Sequence, residues 1–506
     1  MTSQENINST LWRACDTFRG KIDSTLYKDY ILVMLFVKYL SDTYKERYEE
    51  YKERYEGDEE RIKRALSRER FVLDERSTFD YLYSKRNDTE IGDIINKALE
   101  HIEEENKAKL RGVFRNIDFN SEVVLGKSKE KNAVLRHLLE DFSELDLRPS
   151  QLDGNDVIGD SYEYMISMFA SDAGKKGGEF FTPSMVSELI SRLVRPEEND
   201  RIYDPTCGSG SLLIRAYKKV PNKKAQIYGQ ERNGQTQSLC RMNMFLHGID
   251  DAKIAWGDTL ANPIHLEDDK LMKFQVCVAN PPFSLDKWAM GFAGEGVNDN
   301  EFKMEASLDK HRRFEWGLPP TSKGDFAFVQ HMLYSLAENG RMGVVLPHGV
   351  LFRGASEGRI RQQIIDFNLL DAIIGLPENL FFGTGIPACV LIFRKNRARK
   401  EVLFIDASGE GNYEKGKNQN RLREEDIQKI VKTYEKYETI DKYCYVATID
   451  EIRENEYNLN IPRYVDTFEE EEMVDMDSVK DNIDSIKSEL AEVEERMTKY
   501  LEELGL

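Results

Sequence analysis

The sequence predicts an α/β protein in which a sheet domain sits between a helical N-terminal region and a C-terminal helix. Three observations predict it. Four successive apolar segments run into a polar residue, at Asp204, Glu231, Asp258 and Asn280, and the carboxyl ends of strands are where open α/β sheets bind ligands. Residues 1–150 read as helices rich in Lys, Glu and Arg. Near the other end Val479, Ile486, Val493 and Tyr500 recur every seven residues, with Ile483, Leu490, Met497 and Leu504 at the second core position of a coiled-coil heptad.

Taken in order, the N-terminal region holds its longest apolar run at Tyr30–Leu40. That run contains Lys38 and is too short to span a bilayer. The polar stretch at 50–66 reads as a solvated helix. A catalytic domain is assigned to 151–410, a linker and extension to 411–477, and a pairing helix to 478–506. Within 175–194, Gly177 and Gly178 mark a turn, Thr182 is placed as N-cap and Pro183 as the first helical residue. Val186, Leu189, Ile190 and Leu193 form the apolar stripe of the helix that follows. Glu179–Ser184 then present backbone donors and a hydroxyl at a helix start, a place suited to a carboxylate.

At 201–213 a strand ends at Asp204, a turn holds Gly208 and Gly210, and a helix starts near Ser211. The dinucleotide pattern G-x-G-x-x-G fails because Leu213 occupies the third glycine position, and no Gly-Lys-Ser/Thr follows as in a phosphate loop. Residues 225–231 and 252–258 read as the second and third strands, with Glu231 placed for ribose hydroxyls and Asp258 for an adenine amino group. Each acid taken singly is equally a solvated turn residue. Beyond these, 325–339 reads as a helix stopped by Gly340, and 341–347, 371–377, 386–395 and 401–408 as strands, the last two joined as a hairpin by a polar turn at 396–400.

The chemistry concentrates at VANPPFS, 278–284. The Asn280 side-chain oxygen and the Pro281 carbonyl are two acceptors able to take both hydrogens of one planar NH₂ group. Held so, the nitrogen moves toward tetrahedral geometry and its lone pair leaves conjugation. Pro281 and Pro282 stiffen the backbone, and Phe283 offers a face for a planar heterocycle, a stack worth about 1–3 kcal/mol. Asn-Pro-Pro-aromatic is also an ordinary exit from a strand into a turn.

GEFFTP at 178–183, DPTCGSGSLLI at 204–214 and NPPF at 280–283 resemble, in that order, the modification subunit of type I restriction–modification systems. More broadly they resemble adenine-N6 DNA methyltransferases. Residues 11–23 and 27–42 are similar to the helical N-terminal region of those subunits, and 385–395 to the strand closing their catalytic sheet. The resemblance implies a Rossmann-like class I methyltransferase sheet using S-adenosylmethionine. It places cofactor contacts at Glu179, Phe180, Phe181, Thr182, Pro183, Ser184, Asp204, Gly208, Ser209, Gly210, Ser211, Glu231 and Asp258, and the base-holding role at Asn280, Pro281, Pro282 and Phe283. It also implies partners: a specificity subunit joined by two modification subunits, a restriction subunit in the full complex, and double-stranded DNA. A protein-glutamine N5 methyltransferase is the rival enzyme, since it too sets an amide against Asn-Pro-Pro-aromatic, and a non-catalytic assembly scaffold is the rival outside catalysis.

Composition fits the first reading. A chain of 506 residues with 40% apolar content has room for two or three domains. Its six cysteines (Cys15, Cys207, Cys240, Cys277, Cys389, Cys444) form no C-x-x-C pair, so neither a zinc site nor a disulfide framework is expected. Cys207 reads as a packing residue. No signal-peptide pattern opens the chain, and a reduced, cytoplasmic setting without membrane contact is expected. A net charge of −20 is wrong for a protein gripping DNA unaided. Two remedies exist: a local basic cluster at Lys303, Lys310, Arg312, Arg313 and Lys323, or a partner that supplies most of the grip. The second is favoured, because no further domain for reading base sequence is visible.

Overall fold

Nine strands form one sheet, and we number them in chain order: β1 Arg201–Asp204, β2 Gln226–Glu231, β3 Lys253–Trp256, β4 Phe274–Ala279, β5 Leu336–Pro347, β6 Leu370–Gly375, β7 Ala388–Arg394, β8 Val402–Asp406 and β9 Cys444–Ala447. The coordinates are a computed structural model that describes the chain apart from residues 20, 21, 23, 155, 173–180, 294–296, 298–301, 382–384, 418, 468–475 and 504–506. The strand order is β3-β2-β1-β4-β5-β7-β6-β8-β9. Strands β3 to β5 are mutually parallel, β7 runs antiparallel between β5 and β6, β8 is parallel to β6, and β9 closes the edge antiparallel. The chain winds outward from β1 through β2 to β3, then returns to the other side of β1 as β4. This reversal sets the carboxyl ends of β1 and β4 side by side, the switch point outside which such sheets bind ligands in a crevice. Asp204 and Asn280 flank it.

The central strands are buried on both faces, as a sheet covered by helices requires, while β3 at one edge is largely exposed. Ile202, Val276, Val278, Val345, Ile374 and Val390 pack with the helices Ser184–Val194 and Ser211–Lys219 on one side. Phe274, Cys277, Met342, Ile373 and Phe404 pack with the helices Asp325–Ser335 and Ala355–Asp366 on the other.

Three expectations give way here. The helix from Asp325 ends at Ser335, not Asn339, because Leu336 pairs with Phe274 at the start of β4 and enters the sheet core; Gly340 lies inside β5. The strands at 386–395 and 401–408 are not a hairpin. Both edges of β7 are already taken by β5 and β6, so the chain crosses β6 and adds β8 beyond it, with Leu403 opposite Ala372. Arg397 anchors that crossing on Asp371 at 2.9 Å. Nor does the sheet stop at residue 410. Helix Glu424–Lys436 is tied to helix Ser184–Val194 through Arg192 and Glu424 (2.7 Å), and β9 completes the sheet.

The N-terminal helices share a core of their own, built on the Tyr30–Leu40 run of helix Ser24–Arg54. Lys38 is buried within it and is paired with Asp42 at 2.6 Å, one helical turn on; Asp42 also takes the Leu147 N–H at 2.7 Å. This core reaches past residue 150: Tyr162, Met165, Ile166 and Phe169 of helix Val157–Asp172 belong to it. Helix Gly234–Leu246, between β2 and β3, joins the two parts. Its Leu239, Met242 and Phe245 face the helical core, while Cys240 and Met244 face the sheet.

Residues Met1–Val465 form one compact unit and Asp466–Leu506 another. In the second, Met476–Glu503 is a single helix. Among the described residues no helix is long and apolar enough to cross a membrane.

Candidate active site

Asp204 closes β1 and is buried; its carboxylate accepts the Thr206 N–H at 2.9 Å. Burial pushes the Asp204 carboxyl up to about 8, the Thr206 N–H opposes the shift, and the Glu231 charge adds to it. The next turn passes through Gly208 (φ +53°) and Gly210 (φ +86°), left-handed backbone that favours glycine. Packing demands glycine at 210 as well, because a Cβ there would fall 2.6 Å from Met244 Cε and 2.8 Å from Cys240 Sγ. Gly208 N–H donates to Glu231 Oε2 at 3.1 Å and Asn233 N–H to Oε1 at 2.7 Å. Glu231 thereby ties the end of β2 to the glycine turn, and each of its oxygens keeps a lone pair. Burial raises its pKa against those two N–H donors. Ser209 is buried, with its carbonyl accepting from Asn243 Nδ2 at 2.9 Å, and Ser211 opens helix Ser211–Lys219.

Asp258 has a structural task. Its Oδ1 caps the turn after β3 by accepting from Leu260 N–H (2.9 Å) and Ala261 N–H (3.2 Å), and its Oδ2 lies 3.9 Å from Arg232.

Asn280 follows β4 directly. Its Nδ2 donates to Thr182 Oγ1 at 3.2 Å, which leaves the side-chain oxygen as the acceptor. That Oδ1 is buried and has no partner among the described residues. An unmet buried acceptor costs about 1–3 kcal/mol, so this oxygen at the end of β4 is free to take a donor from outside the chain. The Thr182 contact also corrects the helix start. Pro183 is the N-cap, the helix runs Ser184–Val194, and the Thr182 hydroxyl is engaged by Asn280 in place of a backbone N–H. Phe181 is buried; Glu179 and Phe180 lie outside the described residues.

Pro281 is buried, Pro282 half-buried, and the half-buried Phe283 meets Phe381 edge-to-face at 5.7 Å and 69°. Phe381, in the loop after β6, carried no signal in the sequence beyond its aromatic character. Asp325 and Arg353, equally unmarked, hold Ser284, the next residue of the loop.

The basic cluster expected after the catalytic loop is smaller than its sequence. Arg313 is buried in an ion pair with Asp309 (2.8 Å) and faces no solvent. Lys323 is half-buried with Nζ 3.5 Å from Ser284 Oγ, and Arg312 pairs with Glu315 at 2.9 Å. Lys303, Lys310 and Arg312 are exposed.

Residues 153–473 match the family model of the N-6 DNA methylases. The chain belongs to that family. Residues 7–142 match the model of the HsdM N-terminal domain. Among relatives of this N-6 DNA methylase, the type I restriction enzyme MpnII methylase subunit of Mycoplasma pneumoniae is 33% identical over 99% of this chain and 97% of its own length. The MjaVIII methylase subunit of Methanocaldococcus jannaschii is 35% identical over 99% and 85%. The crystal structure of a type I restriction-modification system methyltransferase subunit from Streptococcus thermophilus matches with a TM-score of 0.78 at 35% identity, covering 92% of this chain and 100% of that one. The chain is thus a DNA adenine-N6 methyltransferase subunit of a type I system, and the glutamine methyltransferase and scaffold readings are not favoured.

Proposed function

We propose that the crevice between β1 and β4 binds S-adenosylmethionine and that Asn280, Pro281 and Phe283 hold an adenine turned out of the DNA duplex. The buried Oδ1 of Asn280, unpartnered among the described residues and at the end of the strand that pairs with β1, carries this reading. The residues suit the cofactor: the buried Asp204 and the half-buried Glu231 are acids fit for a cationic amino group and for ribose hydroxyls, and Thr182 to Ser184 approach from the start of a helix. When bound, the cofactor supplies an electrophilic methyl group. The protein's part is positioning. Turning the base out costs a few kcal/mol; Phe283 stacks on it, while Asn280 Oδ1 and the Pro281 carbonyl accept its two N6 hydrogens and localise the lone pair. Reaching the correct geometry accounts for most of the rate gain in such a reaction.

Calorimetry tests the cofactor placement. With a carboxyl pKa of about 8, Asp204 is protonated in the free protein at pH 7. A cationic group set against it favours the carboxylate, so cofactor binding at pH 7 is expected to release close to one proton. Affinity should rise by about tenfold per pH unit up to pH 8 and level off above it. A pH-independent affinity with no proton released, measured in two buffers of different ionisation enthalpy, would place the cationic group elsewhere.

We further propose that helix Met476–Glu503 pairs with a helix of a separate specificity subunit, which binds two of these chains, reads the DNA sequence and supplies most of the grip that a net charge of −20 denies this one. A restriction subunit joins the full complex. Ile486 and Tyr500 of the heptad stripe are 65% and 63% exposed, and Ile483, Leu490, Val493 and Met497 are exposed with them. An apolar seam of this length is suited to a partner helix. Deleting 478–506 is expected to weaken assembly with the specificity subunit by at least about tenfold. Size-exclusion chromatography that shows the complex undiminished would remove the helix from that role.

A further inference from the structure

The loop bearing Asn280 to Phe283 leaves the site through Ser284, whose φ of +51° is left-handed, a conformation costing a non-glycine residue about 1–3 kcal/mol. It is held there from outside the loop. Ser284 N–H donates to Asp325 Oδ1 at 2.8 Å, and Gly324 N–H donates to the Leu285 carbonyl at 3.0 Å. A Cβ on Gly324 would fall 2.9 Å from that of Trp288, whose indole N–H donates to the Pro320 carbonyl at 2.9 Å. Asp325 is wholly buried, and its other oxygen takes Arg353 Nη2 at 2.6 Å. Arg353 belongs to the loop after β5 and is itself held by Glu357 at 2.7 Å. A buried carboxylate is tolerated when paired and hydrogen-bonded in this way. The chain of contacts Glu357–Arg353–Asp325–Ser284 therefore links the loops that follow β4 and β5.

Asn280 is fixed at one end by β4 and by Thr182, and Ser284 at the other by Asp325. Between them stand two prolines whose φ is locked, so the direction of the Pro281 carbonyl is set by those two ends.

We propose that Asp325, with Arg353 behind it, is a positioning residue for methyl transfer: it clamps the loop exit so that the Pro281 carbonyl and the Phe283 ring stay aimed at the base. The proposal rests on the reading of Asn280 and Pro281 as the acceptors. Displacement by about 1 Å at a reacting centre costs about 100-fold in rate.

The test uses the full chain assembled with its specificity subunit and the variants Asp325→Ala, Arg353→Met and Arg353→Lys. Four quantities are measured: kcat, KM for DNA, the cofactor Kd, and amide hydrogen exchange over residues 283–288. Asp325→Ala and Arg353→Met are expected to lower kcat by about 100-fold, with cofactor Kd and DNA KM within about twofold of wild type. Exchange over 283–288 should quicken, and Arg353→Lys should restore part of both. An unchanged kcat overturns the proposal, as does a fall in kcat matched by an equal loss of cofactor affinity or unaccompanied by faster exchange. If Asp325→Ala does not fold, the Arg353 pair of variants decides, since Arg353 reaches solvent. Should the wild-type complex methylate something other than adenine N6, the reading of the acceptors fails, while the exchange data still report on the clamp.

Discussion

An Asn280→Ala variant is expected to lose methyl transfer by about 10³-fold while binding cofactor within about twofold of wild type. The size follows from what the side chain does. In the proposed function its oxygen is one of two acceptors that take the adenine N6 hydrogens and bring the nitrogen lone pair out of conjugation, and it is buried without a partner among the described residues. A preorganised group aimed at charge developing in the transition state is typically worth 10²–10³ in rate, about 2.7–4 kcal/mol. The selectivity for kcat follows from location. Asp204, Glu231 and the glycine turn between them lie on β1 and β2, and their hydrogen bonds to Thr206, Gly208 and Asn233 do not involve Asn280. The alanine variant does free Thr182, so a small change in cofactor affinity is consistent with the account. Single-turnover rates with cofactor-binding calorimetry on the same preparation check both halves.

Arg313→Met is expected to destabilise the protein by about 3–5 kcal/mol, the usual cost of stranding one partner of a buried ion pair. The Arg313 and Asp309 side chains are 0% and 1% exposed. Besides Asp309, the guanidinium serves the carbonyls of Thr259 (3.2 Å) and Leu260, and His331 Nδ1 at 3.0 Å. Burial and the Arg313 charge hold His331 well below its ordinary pKa, so it stays neutral, and its Nε2 faces the Tyr203 hydroxyl at 3.0 Å. Thr259 in turn donates its hydroxyl to the Pro205 carbonyl at 2.6 Å. The pair therefore fastens the turn after β3 to the turn after β1, immediately behind Asp204. Urea unfolding checks the loss. A double variant, Arg313→Met with Asp309→Asn, should recover part of it because no unpaired charge remains buried. A single variant as stable as wild type would mean that Asp309 finds another partner.

The parts of this site legible in the sequence are those whose chemistry and local pattern coincide. Strand ends at Asp204, Glu231 and Asn280, the glycine turn and the helix after Thr182 all rest on alternation, capping and turn residues within a dozen positions of one another. What was not legible depends on pairing between distant segments. The apparent hairpin failed because β7 inserts between β5 and β6, an arrangement invisible to loop length. The pattern carries helix 325–339 past its true end at Ser335, because only the partner strand, through Phe274, shows that Leu336 belongs to the sheet. Arg313 looked like one of a row of surface cations, and the fold buries it against Asp309, Thr259 and His331. Asp325 and Arg353 carry no motif at all; they matter because the loops after β4 and β5 end side by side. At Asp258, expected as a ligand acid, the turn occupies Oδ1 only.

In the proposed function the tip of β4 makes an exocyclic adenine amine nucleophilic. Incubating the assembled subunits with methyl-labelled S-adenosylmethionine and unmodified DNA, then digesting to nucleosides, tests it most directly. The expected result is label in N6-methyladenosine alone for the wild-type chain, entering about 10³-fold more slowly with Asn280→Ala. Label in a cytosine, or N6-methyladenosine formed at the wild-type rate by Asn280→Ala, would contradict it.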